Sequence, residues 1–140
     1  MSKEMKRILL IEPEAVLAEV TAFRLELHGY AVETVDAIEN AFRIATEQEF
    51  DMILMDLSLP GSGGQDLLEK LSSDETTSSI PVMVLSADAD LDQVQKVVAM
   101  GAVDFLVVPF DPEALVDKVT KHVCRVREEN PKKKLEAVVT

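Results

Sequence analysis

Five short apolar runs recur at near-even spacing along this 140-residue chain, and a helix-patterned stretch separates each from the next. The runs fall at residues 7–11, 30–35, 51–57, 82–85 and 104–108. Each has the length of a strand, and the stretches between them carry apolar residues at three-and-four spacing. This alternation admits few folds. Parallel neighbours need crossovers, and right-handed crossovers lay helices on both faces of the sheet. A doubly wound parallel sheet is therefore expected, with five strands each followed by a helix.

The punctuation agrees. The first helix starts near Ala15, carries Val16, Leu17, Val20, Phe23, Leu25 and Leu27, and stops at Gly29. Asp36 and Glu39 read as a capping box opening a second helix, with Ala41, Phe42 and Ile44, that ends near Gln48. Residues 51–57 are apolar on both faces, as a central parallel strand should be. A Pro60-Gly61-Ser62-Gly63-Gly64 loop follows, then a helix over 65–71 and a polar loop over 72–79. Pro81 fits only the first position of the fourth strand. A loop over 86–90 leads to a helix over 91–100, stopped by Gly101. Asp111-Pro112-Glu113 supplies an N-cap, a proline at the first helical position and a first-turn acid. Ala114, Leu115, Val119, His122, Val123 and Val126 continue that last helix.

Composition removes several function classes. A formal net charge of −12 repels phosphate backbones, so direct nucleic-acid binding is not expected. No apolar run approaches the ~20 residues that span a bilayer, and the first strand follows the N-terminus without a leader, so a cytoplasmic, membrane-independent protein is expected. The one cysteine, Cys124, excludes an internal disulfide and a thiolate cluster and reads as an apolar filler. His28 and His122 share no metal-ligand spacing and sit near helix C-termini. Residues 5–126 read as the domain, and 127–140, with Pro131 and Lys132-Lys133-Lys134, as a solvated tail or linker.

In such a sheet all strand C-termini share one rim, where ligands and chemistry are found. Glu12, Pro13 and Glu14 follow the first strand, Asp56 and Ser58 the third, Ser86 and Asp88 the fourth, and Val108, Pro109 and Phe110 close the fifth. Carboxylates with a hydroxyl suit cation-assisted phosphoryl transfer: a carboxylate attacks phosphorus, a hard cation offsets the charge, and a hydroxyl holds an oxygen. The glycine loop after the third strand is not a P-loop, since it lacks a Gly-Lys-Ser/Thr ending.

Four stretches carry a family likeness: Ile8-Leu9-Leu10-Ile11-Glu12, Asp51-Met52-Ile53-Leu54-Met55-Asp56-Leu57-Ser58-Leu59-Pro60-Gly61, Ile80-Pro81-Val82-Met83-Val84-Leu85-Ser86-Ala87, and Gly101-Ala102-Val103-Asp104-Phe105-Leu106-Val107-Val108-Pro109-Phe110. Through them the chain resembles the response-regulator receiver domains of two-component signalling. The resemblance implies a flavodoxin-like (βα)5 fold with strand order 2-1-3-4-5. It implies Asp56 as phosphoacceptor, Ser86 as phosphoryl contact and switch, and Phe105 as the switch aromatic. It implies Mg²⁺ held by Glu12, Asp56 and the Ser58 backbone carbonyl, and a proline at 109 of the kind often held in cis. It also implies a signalling module rather than an enzyme. Its partners would be a histidine kinase or phosphotransfer protein, or another output protein. A homodimer face would lie on the fourth helix, fifth strand and fifth helix, where Val116, Val119 and Val123 also read as ordinary core.

Two positions depart from the family pattern. Pro13 stands where a second acidic metal ligand is expected, and Val108 where a phosphoryl-binding lysine is expected. The Mg²⁺ site is thereby weakened, with Glu14, otherwise a helix N-terminal acid, and Asp88 as substitute oxygen donors. The alternative reading is a pseudo-receiver that binds its partner constitutively. A flavodoxin-like ligand binder is a third, but no phosphate-cradling loop follows the first strand.

Overall fold

The computed structural model describes residues 5–57, 63–88 and 90–123. β1 (Arg7–Ile11), β3 (Met52–Asp56) and β4 (Val82–Ser86) lie inside the sheet, and β3 and β4 are buried at every position. Near-continuous apolar runs suit strands covered on both faces. β2 (Ala31–Val35) and β5 (Asp104–Val107) are the edges. All neighbours pair parallel in the order β2-β1-β3-β4-β5, as expected for the flavodoxin-like class.

Side chains alternate across this sheet, so each strand feeds two cores. Ile8, Leu10, Met52, Leu54, Met83 and Leu85 face α1 (Ala15–Leu27) and α5 (Pro112–Val123). Leu9, Ile11, Ile53, Met55, Val84 and Phe105 face α2 (Ile38–Glu47), α3 (Gly63–Ser73) and α4 (Leu91–Ala99). The Val108–Pro109 bond is cis.

Several local expectations are corrected. The capping box at Asp36 does not form: Ala37 is the N-cap of α2, with no side-chain cap bond, and Asp36 is exposed. α2 starts one residue later, which moves Asp36 outside the capping position. α3 takes in Gly63 and Gly64, because a Cβ on Gly63 would run into Ile38 and one on Gly64 would sit 3.2 Å from the Leu57 carbonyl oxygen. These glycines serve close helix packing. In α1 the buried residues are Ala18, Thr21, Ala22 and Leu25, while Val16, Val20, Phe23 and Leu27 are exposed. Apart from Leu25, small residues face inward there, and four large apolar ones face out. Val119 and Val123 are core residues and Val116 is half-buried. Ser58, Pro60 to Ser62, Cys124, Val126 and the 127–140 tail lie outside the described residues.

Two polar assemblies hold the end of the sheet remote from Asp56. On the β2 side, the Arg7 guanidinium lies 4.7 Å from the Phe50 ring centroid and donates to the Glu49 carbonyl (2.9 Å) and to Gln48 Oε1 (2.7 Å). On the β5 side, the buried Asp104 carboxylate accepts from Lys118 Nζ at 2.7 Å and pairs with His122 Nε2 at 2.8 Å. Burial alone would raise the Asp104 carboxyl. The bonds from His122, Lys118 and the Phe105 N–H outweigh it and hold the group below the ordinary carboxylate range.

Candidate functional site

The rim expected from the sequence forms at the C-terminal ends of β1, β3 and β4. Parallel pairing in register sets Ile11 beside Met55 and Asp56 beside Leu85, so residues 12, 56 and 86 end neighbouring strands. All three are buried: Glu12 is 2% exposed, Asp56 4% and Ser86 6%. Phe105, on β5, is 8% exposed and packs in the core shared with α4. Val108 follows β5 with its N–H donating to the Ser86 carbonyl at 2.9 Å, which brings the fifth strand's end to the same rim.

The Glu12 carboxyl lies against that of Asp56. Its Oε2 also accepts weakly from the Glu14 N–H at 3.3 Å. Its Oε1 is buried and has no hydrogen-bond partner among the described residues. An orphaned oxygen of this kind marks a place where a cation or a proton is expected. Burial, reinforced by the contact with Asp56 and its charge, pushes the Glu12 carboxyl up to about 8.

Glu14 caps α1. Its carboxylate accepts from the Val16 N–H at 3.2 Å and the Leu17 N–H at 3.0 Å, satisfying two orphan donors at the helix start. The sequence marks Glu14 for the helix only as a favourable charge at its start, because glutamate is not among the residues preferred at an N-cap. Ser86 Oγ accepts from the Asp88 N–H at 3.1 Å, leaving the hydroxyl proton to donate elsewhere. Asp88 is exposed, and its Oδ1 accepts from the Asp90 N–H at 3.1 Å.

Among the described residues, no group of three or more acidic, histidine or cysteine side chains could hold a metal. Two carboxylates in contact, one with a spare buried oxygen, still suit Mg²⁺, which commonly uses one or two carboxylates and keeps several waters. Pro13 supplies no further oxygen from its side chain.

The raised Glu12 value has a testable consequence. A raised folded-state value favours the protonated acid, so its contribution to stability is full below about 4.5 and is lost as pH rises through about 8. In the absence of divalent cations, Glu12→Gln should be more stable than the parent chain by on the order of 2 kcal/mol above pH 8, with the difference vanishing near pH 4. Thermal unfolding from pH 4 to 9 measures this, and parallel curves for the two proteins would refute it.

Comparison with known proteins gives a consistent match. The family described as the response regulator receiver domain matches residues 8–120. The chain is 33% identical over 114 residues to the phosphate regulon transcriptional regulatory protein PhoB of Pseudomonas aeruginosa, covering 81% of this chain and 50% of that protein. It is 34% identical over 116 residues to the DNA-binding dual master transcriptional regulator RpaA of Synechocystis sp., covering 82% and 48%. The chain thus spans about half the length of these relatives. Among solved structures, a response regulator receiver protein from Pseudomonas putida superposes with a TM-score of 0.78 at 26% identity, covering 86% of this chain and 99% of that one. The receiver domain of the sensor histidine kinase PA1611 from Pseudomonas aeruginosa has a TM-score of 0.79 at 28% identity, covering 87% and 100%. That structure has a magnesium ion coordinated in its active site cleft.

Proposed function

This chain belongs to the response-regulator receiver domain family of two-component signalling, and on that premise we propose that it is an atypical phosphoryl acceptor. Asp56 is the accepting group, and a protein–protein contact is the output. The observation that carries this reading is the convergence of Glu12, Asp56 and Ser86, all buried, on one rim of the sheet.

The transfer uses few parts. An Asp56 carboxylate oxygen forms a bond to phosphorus while the bond from phosphorus to the donor's nitrogen or acyl oxygen breaks, and the donor leaves with that electron pair. The Ser86 hydroxyl donates to a phosphoryl oxygen. Glu12 and Asp56, with the Ser58 carbonyl, would hold Mg²⁺, which when bound offsets charge on the transferring group. Phe105 packs beside the rim and is the aromatic that would respond to the Ser86 contact. Protonation of Glu12 competes with the cation, so Mg²⁺ affinity should rise with pH toward about 8. A histidine kinase or a phosphotransfer protein is the donor. Output partners engage the face of α4, β5 and α5, where Leu91 is 65% and Val107 40% exposed, and a second copy could pair there too.

The test is incubation with acetyl phosphate and Mg²⁺ followed by intact-mass measurement. The parent chain should gain one phosphoryl group slowly, and Asp56→Asn none. An unchanged parent mass under conditions that label a complete receiver would reject phosphoryl acceptance. A second reading, a constitutive binding module, draws on Pro13 and Val108 together. It requires that Asp56→Ala leave partner affinity unchanged with the fold intact.

A further inference from the structure

We propose that the outward face of α1 is a self-association surface on which a second copy of this chain packs its own α1, in parallel, about a two-fold axis. The inference stands apart from phosphoryl acceptance and from the α4–β5–α5 face.

Val16, Val20, Phe23 and Leu27 are 64%, 57%, 62% and 60% exposed. They are spaced four, three and four residues apart, the repeat of a two-stranded coiled-coil seam. Helix α1 has only 13 residues, and its opposite side, Ala18, Thr21, Ala22 and Leu25, is buried in the chain's own core. The helix is therefore already ordered, and the seam is additional to what the fold needs. Isolated exposed apolar residues need no explanation, but a contiguous row of four on one helix face marks an interaction site.

The charges beside the seam select its occupant. With Val20 and Leu27 at a positions and Val16 and Phe23 at d, Glu19 and Glu26 fall at g and Arg24 at e. All three are exposed, and none enters an ion pair within the described residues. In a parallel pair each g residue meets the e residue five positions later on the other helix. Glu19 then faces Arg24 of the second copy, and the symmetry makes that contact twice. An antiparallel pair would set g against g and bring Glu19 and Glu26 together. Glu19, Phe23 and Glu26 also line a groove of about 780 Å³ between α1 and the β2–α2 side, which leaves room for the incoming guanidinium. A seam of two heptads is smaller than a standard interface, so the dissociation constant should be on the order of 100 µM. Helix α1 begins at the Glu12–Glu14 loop, so the dimer would stand close to the Asp56 rim.

Sedimentation equilibrium of the full chain, from roughly 10 µM to about 1 mM, tests this. A monomer–dimer equilibrium is expected, weakened roughly tenfold or more by Phe23→Glu. Glu19→Arg alone and Arg24→Glu alone should each weaken it, and the two combined should restore it. In a Cys124→Ser background, Val20→Cys should cross-link to its own counterpart on oxidation, because equal a positions face each other across a parallel seam. Glu39→Cys, exposed on α2, should not. A chain that stays monomeric, a dimer indifferent to Phe23→Glu, or a charge swap that fails to restore pairing would each overturn the proposal. The second of these outcomes would place pairing on a face other than α1.

Discussion

Val108→Lys combined with Pro13→Asp should speed phosphorylation of Asp56 by on the order of 1,000-fold over the parent chain. Each substitution returns one aimed charge. Val108 is half-buried, and its N–H is fixed to the Ser86 carbonyl at 2.9 Å, so a side chain at 108 starts from the rim itself. A lysine there can lay its stem on the neighbouring apolar surface and carry its ammonium toward Asp56. An aspartate at 13 adds a second acid beside Glu12, whose spare oxygen has no partner among the described residues. Loss of one well-aimed electrostatic contact commonly costs about 3 kcal/mol of transition-state stabilisation, or roughly 100-fold in rate. Groups acting on one transferring phosphoryl do not add simply, so the pair is expected to give less than the product. The two effects separate: Pro13→Asp should mainly tighten Mg²⁺ binding, and Val108→Lys should mainly raise the rate at saturating Mg²⁺. Time courses of intact mass with acetyl phosphate read both. A folded double variant no faster than the parent would mean that something other than these two charges limits transfer.

Asp104→Ala should destabilise the fold by about 3–5 kcal/mol, a large share of the 5–15 kcal/mol that holds a typical domain together. Asp104 is 3% exposed and His122 1%. Removing the carboxylate takes from His122 and the Lys118 ammonium the acceptor they share, and from the Phe105 N–H the oxygen it binds at 2.8 Å. Breaking one side of a buried charge cluster costs more than the cluster contributes, because the other side is left uncompensated. Since Asp104 titrates below its ordinary value, this stabilisation is present above about pH 4 and is lost as pH falls through the lower folded-state value. Asp104→Asn, which keeps the shape and one acceptor, should fall between the parent and Asp104→Ala. Urea unfolding at pH 7 measures all three, and a loss under about 1 kcal/mol for Asp104→Ala would show that the cluster is not holding α5 to β5.

Period and punctuation made the architecture readable. Strand-length apolar runs alternating with helical spacing leave little choice but parallel crossovers, and that topology alone gathers Glu12, Asp56 and Ser86. Contacts that depend on helix rotation or on distant pairing were harder to read. Helix α1 carries apolar residues on two opposite sides, so pattern does not say which of them faces the sheet; in the structure it is the side of Ala18, Ala22 and Leu25. Asp104 and His122 are 18 residues apart and share no local motif. The available signal was an acid opening an otherwise apolar strand, a position that is costly without partners. For Glu14 the sequence favours a charge at the helix start over a substitute metal ligand, and in the structure its carboxylate caps α1.

The Arg7 and Asp104 assemblies brace the same pole of the molecule, on β1 and β5, while Asp56 lies at the opposite pole. Helix α5 runs from the Asp56 pole at Pro112 to the braced one at Val123. The polar bonds from α5 to the sheet, Lys118 and His122 to Asp104, sit at the braced end, so any tilt of the helix would pivot there and swing its Pro112 end beside the Asp56 rim.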